Sequence, residues 1–167
     1  FSDYLVETIK SFGISETESR VRMQHINQEV FHEAKEEGKN IILLAGHVFN
    51  WEWINALAKV IPQDHCHPVY RKVNSDFWEN QMKSVRNKFG NEALEAKEVI
   101  LNIVRSKNDG SSAYMFVADQ TPHFAHITYG LEFLNQRTPV FTGYDRLATK
   151  MDLAFIYCEM KKVKRGF

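Results

Sequence analysis

Apolar and polar positions along the chain change period several times. The first forty residues read as helical: "FSDYLVETIKSF" runs to Gly13, "SETESRVRMQHI" opens with Ser15 and Glu18 in a capping-box arrangement, and "NQEVFHEAKEEGKN" closes at Gly38. Three short helices are predicted there. "NIILLAG" is then apolar at every position, as a parallel strand buried on both faces requires. "NWEWINALAKVI", with Asn50 at its cap and Pro62 beyond its end, reads as the following helix. Next come "HCHPVYRK" as a strand, "NSDFWENQMKSVRNKFG" as a helix capped by Asn74 or Ser75, and "AKEVILNIVRSKNDG" as another helix. "SAYMFVAD" is a third buried strand leading into the loop "QTPHFAHIT". "TYGLEFLNQ" alternates like a half-exposed strand, "TGYDRLATKM" fits a helix, and "DLAFIYCEMKKVK" a last strand.

Strands alternating with helices predict an α/β fold, a mainly parallel or mixed sheet flanked by helices, preceded by an N-terminal helical segment over residues 1–39. The α/β core spans 40–160, and the 167 residues suit a single domain. Ligands of such sheets bind at the carboxyl ends of the strands. His47, Arg71 and Asp119 all fall at such ends.

Composition narrows the functional classes only slightly. Hydrophobic residues make up 44% and charged residues 25%, as in ordinary globular chains. Lys plus Arg equals Asp plus Glu, 21 each, so no global charge points to a nucleic acid. Two cysteines, Cys66 and Cys158, do not make a disulfide framework. No apolar run approaches the ~18 residues of a membrane-spanning helix. The opening on Phe1 and the close on "KKVKRGF" predict native segments beyond both ends.

The stretch "LLAGHVFNWEW" places His47 just after the first strand and Glu52 five residues later. A histidine acts as a general base near neutral pH, and works better when a carboxylate orients its ring. Along a regular helix five residues turn about 500°, leaving two side chains about 140° apart. The pair can therefore meet only with His47 in the loop and Glu52 in the first helical turn, where the helix dipole favours its charge. The motif holds no serine or cysteine nucleophile. Such a pair would activate a hydroxyl brought by the substrate, which points to group transfer onto an alcohol. The plain alternative is a histidine satisfied by backbone at a strand end and a glutamate on a solvated helix face.

A metal reading draws on His65, Cys66 and His67 and on the HxxH of His123 and His126. Strand alternation puts His65 and His67 on one face and Cys66 on the other, and neither HExxH nor CxxC is present. No metal is expected.

The motif does not stand alone. "ILLAGHVFNWEW" resembles the "hydrophobic strand, GHFGNWE" signature of the lipid A biosynthesis acyltransferases, the lauroyl and myristoyl transferases of the lysophospholipid acyltransferase superfamily. "VYRKVNSDFWENQMKSVRNKFG" is similar to that family's "YR, then a helix ending in RFG" block. "VADQTP" is similar to its "ADQ" strand end, and "FLNQRTPVFTGYDRLATK" to its "FFG, then TGPARLA" segment. The blocks occur in family order from about Ile41 to Lys150.

The resemblance implies a glycerolipid-acyltransferase-like fold. It also implies transfer of an acyl chain from acyl carrier protein, or less often coenzyme A, as co-substrate, to a hydroxyl of a glucosamine-based lipid. No further cofactor is implied. By that analogy His47 is the base and Glu52 its partner, with Arg71, Asp119, Gln120 and Asn50 binding substrate or organising the site. It further implies work at a membrane surface, on the cytoplasmic face of a bacterial inner membrane. Val48 and Phe49 replace the family's "FG", and Tyr144 and Asp145 its "PA". Acceptor choice is therefore open among a lipid A precursor, a lysophospholipid, a mannolipid and an amino lipid, and a non-catalytic lipid-binding module on the same fold is the rival outside catalysis. The aromatics Phe49, Trp51, Trp53, Phe77 and Trp78 serve either as core or as lining of an acyl groove. The terminal "KKVKR" is either a basic rim for anionic lipid or a solvated strand edge.

Overall fold

The computed structural model describes residues 2–120, 122 and 127–164. Three helices lead in: α1 (Ser2–Gly13), α2 (Glu16–Arg22) and α3 (Glu29–Glu36). Ser15 caps α2 as its spacing predicts, its side chain accepting the Glu18 N–H at 3.1 Å. At the far end of α3, Gly38 takes a left-handed φ of 69°. This lets Lys39 N–H reach back to Ala34 O and Gly38 N–H to Lys35 O, so the last carbonyls of the helix are satisfied before the chain turns into the sheet.

The sheet has five strands, all parallel: β1 (Ile41–Ala45), β2 (His65–Tyr70), β3 (Leu94–Glu95), β4 (Ser112–Val117) and, after a separate antiparallel hairpin of β5 (Tyr129–Phe133) and β6 (Gln136–Val140), β7 (Ala154–Tyr157). Their order is β3-β2-β4-β1-β7, so β1 and β4 are neighbours inside the sheet. The three helices α4 (Asp76–Arg86), α5 (Val99–Arg105) and α6 (Gly143–Met151) complete the α/β pattern.

Alternation along β1 divides the core into two layers. Ile41, Leu43 and Ala45 pack with Phe31 and Ala34 of α3 and with Ile54 and Leu57. Ile42 faces the other way, against Val99 and Ile103 of α5, Tyr114 of β4 and Ala148 of α6. Ile41, Ile42 and Leu43 are fully buried, each burial contributing roughly 1.5–3 kcal/mol. That explains the unbroken apolar run.

The segment expected to form an α-helix after β1 is instead a 3-10 helix, Trp51–Lys59, and the Asn50 side chain makes no cap to it. With three residues per turn, positions i and i+3 stand directly above each other. Its residues are sorted into rows. Ile54 and Leu57 enter the sheet core, while Trp53 and Ala56 join Ile14 and Phe89 beside α1 and α4. Glu52 and Asn55 form the third row, joined by a hydrogen bond from Asn55 Nδ2 to Glu52 O at 2.7 Å.

Candidate active site

Parallel pairing of β1 with β4 sets Ala45 opposite Val117, and the ladder continues with Ala118 N–H donating to Ala45 O at 3.0 Å. Two residues beyond that pair on each strand stand His47 and Asp119. The sheet register thus brings together residues 72 apart in sequence. His47 Nδ1 lies 2.5 Å from Asp119 Oδ1, and the His47 backbone N–H donates to Asp119 Oδ2 at 2.8 Å. A carboxylate only accepts, so Nδ1 carries the proton and Nε2 is left as the acceptor. Burial raises the Asp119 carboxyl, but the two hydrogen bonds from His47 outweigh it and hold the group below the usual aspartate range.

Gly46 makes the approach possible. A Cβ at that position would lie 3.2 Å from Asp119 Oδ2 and 3.3 Å from Val48 Cγ2. After His47 the loop passes through Phe49 at φ 53°, a left-handed conformation that costs a non-glycine residue energy, and Phe49 stays exposed. Asn50 is 1% exposed, and neither atom of its amide has a hydrogen-bond partner. An unpaired buried amide is uncommon in a folded chain, and this one lies three residues after His47.

The expected His47–Glu52 pair is not formed. The 3-10 turn advances 120° per residue. Trp51 therefore meets the imidazole edge-on, ring centroids 4.7 Å apart, and Glu52 is turned away toward α4. There it receives Arg86 Nη2 at 2.7 Å and Arg86 Nε at 3.2 Å. Asp119, not Glu52, is the carboxylate at the histidine. Arg86 was missed by the sequence reading, although it lies in the "VRNKFG" block that carries part of the family resemblance.

Arg71 follows β2, which lies between β3 and β4, so it stands at the same rim of the sheet as Asp119, one strand over. It is exposed and makes no ion pair among the described residues, which leaves its charge available. Gln120 is exposed beside Asp119.

The residues of the metal reading are placed otherwise. His67 stacks on Tyr114 at 5.1 Å and shares a 3.1 Å hydrogen bond with Glu92 O, and its burial disfavours the charged ring. Cys66 lies in the opposite core layer, its thiol pushed up to about 12 by burial and by Asp64. Among the described residues no three His, Cys, Asp or Glu side chains converge, and His123 and His126 lie outside them. Among those residues, too, no helix is long and apolar enough to cross a membrane.

A family model described as bacterial lipid A biosynthesis acyltransferase covers residues 1–166, nearly the whole chain. No curated protein matches the chain.

Proposed function

The chain belongs to the bacterial lipid A biosynthesis acyltransferase family, and from that premise we propose that His47, oriented by Asp119, is the general base of an acyl transfer from a carrier thioester to a hydroxyl of a glucosamine-based lipid. His47 Nε2 takes the hydroxyl proton as the oxygen attacks the thioester carbonyl carbon. A tetrahedral intermediate forms, the C–S bond breaks, and the imidazolium returns the proton to the departing thiolate. The products are an ester and a free thiol. Asp119 stabilises the imidazolium while it exists.

The single observation that carries this reading is the two-point contact between His47 and Asp119 at the carboxyl ends of adjacent parallel strands. The exposed side chain of Arg71, without an ion pair among the described residues, and the unpartnered amide of Asn50 support it. One is suited to a phosphate of the acceptor or carrier, the other to the oxyanion of the intermediate. Gln120 is assigned to the substrate from its place beside Asp119. The donor is a thioester of acyl carrier protein or, less often, of coenzyme A, and the reaction as written calls for no further cofactor. The place of work is the cytoplasmic face of the bacterial inner membrane. Phe77 and Trp78, exposed where α4 begins on the same rim, suit a membrane surface.

The test is a matrix of donors and acceptors. Radiolabelled acyl chains on acyl carrier protein and on coenzyme A are offered with a lipid A precursor, a lysophospholipid and a mannolipid. Ester label on the glucosamine lipid from the carrier-linked donor is expected. Label confined to another acceptor would reassign the substrate, and no label on any acceptor would remove the reading.

A further inference from the structure

The proton path through His47 and Asp119 leaves the motif's carboxylate, Glu52, without a part in it. Glu52 is nonetheless fully engaged. Its side chain is 6% exposed, Oε1 accepts Arg86 Nη2, and Oε2 accepts Arg86 Nε and, at 3.3 Å, Asn55 Nδ2. The Arg86 guanidinium in turn lies over the Tyr70 ring, 5.0 Å from its centroid. Tyr70 is the last residue of β2 and immediately precedes Arg71. Its hydroxyl donates to Glu79 Oε1 at 2.8 Å, and Glu79 Oε2 accepts the Val73 backbone N–H at 3.1 Å. Asn91 closes the other side, donating to Asn55 O at 2.9 Å and to Arg86 O at 3.0 Å.

These contacts run without a break from the helix that follows His47 to both flanks of Arg71. We propose that Glu52 and Arg86 are positioning residues: their ion pair, continued through Tyr70 and Glu79, holds the loop that carries Arg71 in register with the loop that carries His47. Glu52 exchanges no proton with the histidine. The bidentate fork of an arginine fixes direction as well as distance, which a lysine at position 86 would not do. Tyr70 adds a rigid face between the ion pair and Arg71, and Glu79 fixes the backbone two residues beyond. The inference rests on the acyl-transfer reading for its activity readout, but its geometry can be followed without turnover.

Removing one member of a buried ion pair strands the other charge, so the informative variant replaces both, Glu52→Gln with Arg86→Met. Two measurements are made on the full chain. The first is the fold-loss in kcat/KM caused by Arg71→Ala and by Asp119→Asn, each in the wild-type and the paired-variant background. Residues coupled through a shared network depart from additivity, independent ones do not. The expected result is an Arg71→Ala loss at least about fivefold smaller in the paired variant, with the Asp119→Asn loss the same in both backgrounds. An Arg71→Ala loss equal in both backgrounds would overturn the proposal, as would an Asp119→Asn loss that shrinks instead.

The second measurement is backbone hydrogen exchange in Arg86→Lys and the paired variant. Faster exchange at both 47–52 and 71–75 is expected, smaller in Arg86→Lys. Acceleration confined to α4 would contradict the proposal even if no acyl transfer were found. Absence of turnover in the wild type would remove the functional reading and leave the exchange result standing. If the paired variant does not fold, Arg86→Lys alone decides through the same exchange pattern.

Discussion

Asp119→Asn removes the carboxylate at His47 with little change of shape. Two hydrogen bonds depend on that group, one from the imidazole Nδ1 and one from the His47 backbone N–H. An asparagine can keep its oxygen toward the backbone N–H, which turns its NH2 toward Nδ1. The ring is then driven to the tautomer with Nε2 protonated, the wrong one for a base. Turned over, it faces the backbone N–H with a donor and loses that bond instead. Hydrogen bonds to charged groups contribute about 1.5–3 kcal/mol each. Asp119 is 44% exposed and His47 29%, so solvent screening reduces the sum to about 2–4 kcal/mol. That corresponds to a fall of roughly 30- to 1,000-fold in kcat/KM. The assay is carrier-dependent acylation of the lipid acceptor, with thermal melting run in parallel to show that the variant folds. A folded Asp119→Asn protein with more than a third of wild-type kcat/KM would refute the assignment of Asp119 as the orienting carboxylate.

Three further outcomes follow from the same geometry. Gly46→Ala places a methyl group against Asp119 Oδ2 and Val48, and lowers acyl transfer at least about tenfold with the melting temperature little changed; unaltered kinetics would show that the loop yields freely. Phe49→Gly relieves the left-handed backbone at φ 53° and stabilises by about 1 kcal/mol, seen as a melting temperature roughly 2–4 °C higher; a lower melting temperature would contradict the strain. The Asp119 carboxyl is held below its unfolded value, so the stability it contributes is present above the ordinary aspartate range and lost as pH falls through the folded value. As pH falls below about 4 the wild type therefore loses more stability than Asp119→Asn, and parallel acid-denaturation curves would count against it.

Much of the fold was legible because burial and capping are local. The run Ile41–Ala45, the Ser15 and Ser75 caps and the Gly38 stop each fix an element from its own residues. Two strands were not legible. β3 is two residues long, and β6 is polar with Pro139 inside it, tolerable only because its partner is β5 alone. The turn between β5 and β6 uses Leu134 and Asn135, both at positive φ, without the glycine that usually marks such a turn. Nor could nine residues distinguish a period of 3.0 from 3.6, and that difference decides whether Glu52 or Trp51 meets His47.

The site was half legible for a related reason. His47, Arg71 and Asp119 could each be placed at a strand end, but strand order decides which ends are adjacent, and order is set by contacts far apart in sequence. Once β4 lies beside β1, Asp119 has a place at the histidine that Glu52 cannot reach. Arg86 became visible only as the partner of a buried carboxylate.

The role proposed for His47 is that of general base in an acyl transfer. Its most direct test is wild-type protein beside His47→Ala, each incubated with labelled acyl carrier protein and a lipid A precursor, with the lipid products resolved chromatographically. An acylated product is expected from the wild type, with a loss of at least about 100-fold in a His47→Ala protein that still melts cooperatively. Turnover in that variant close to wild type would contradict it.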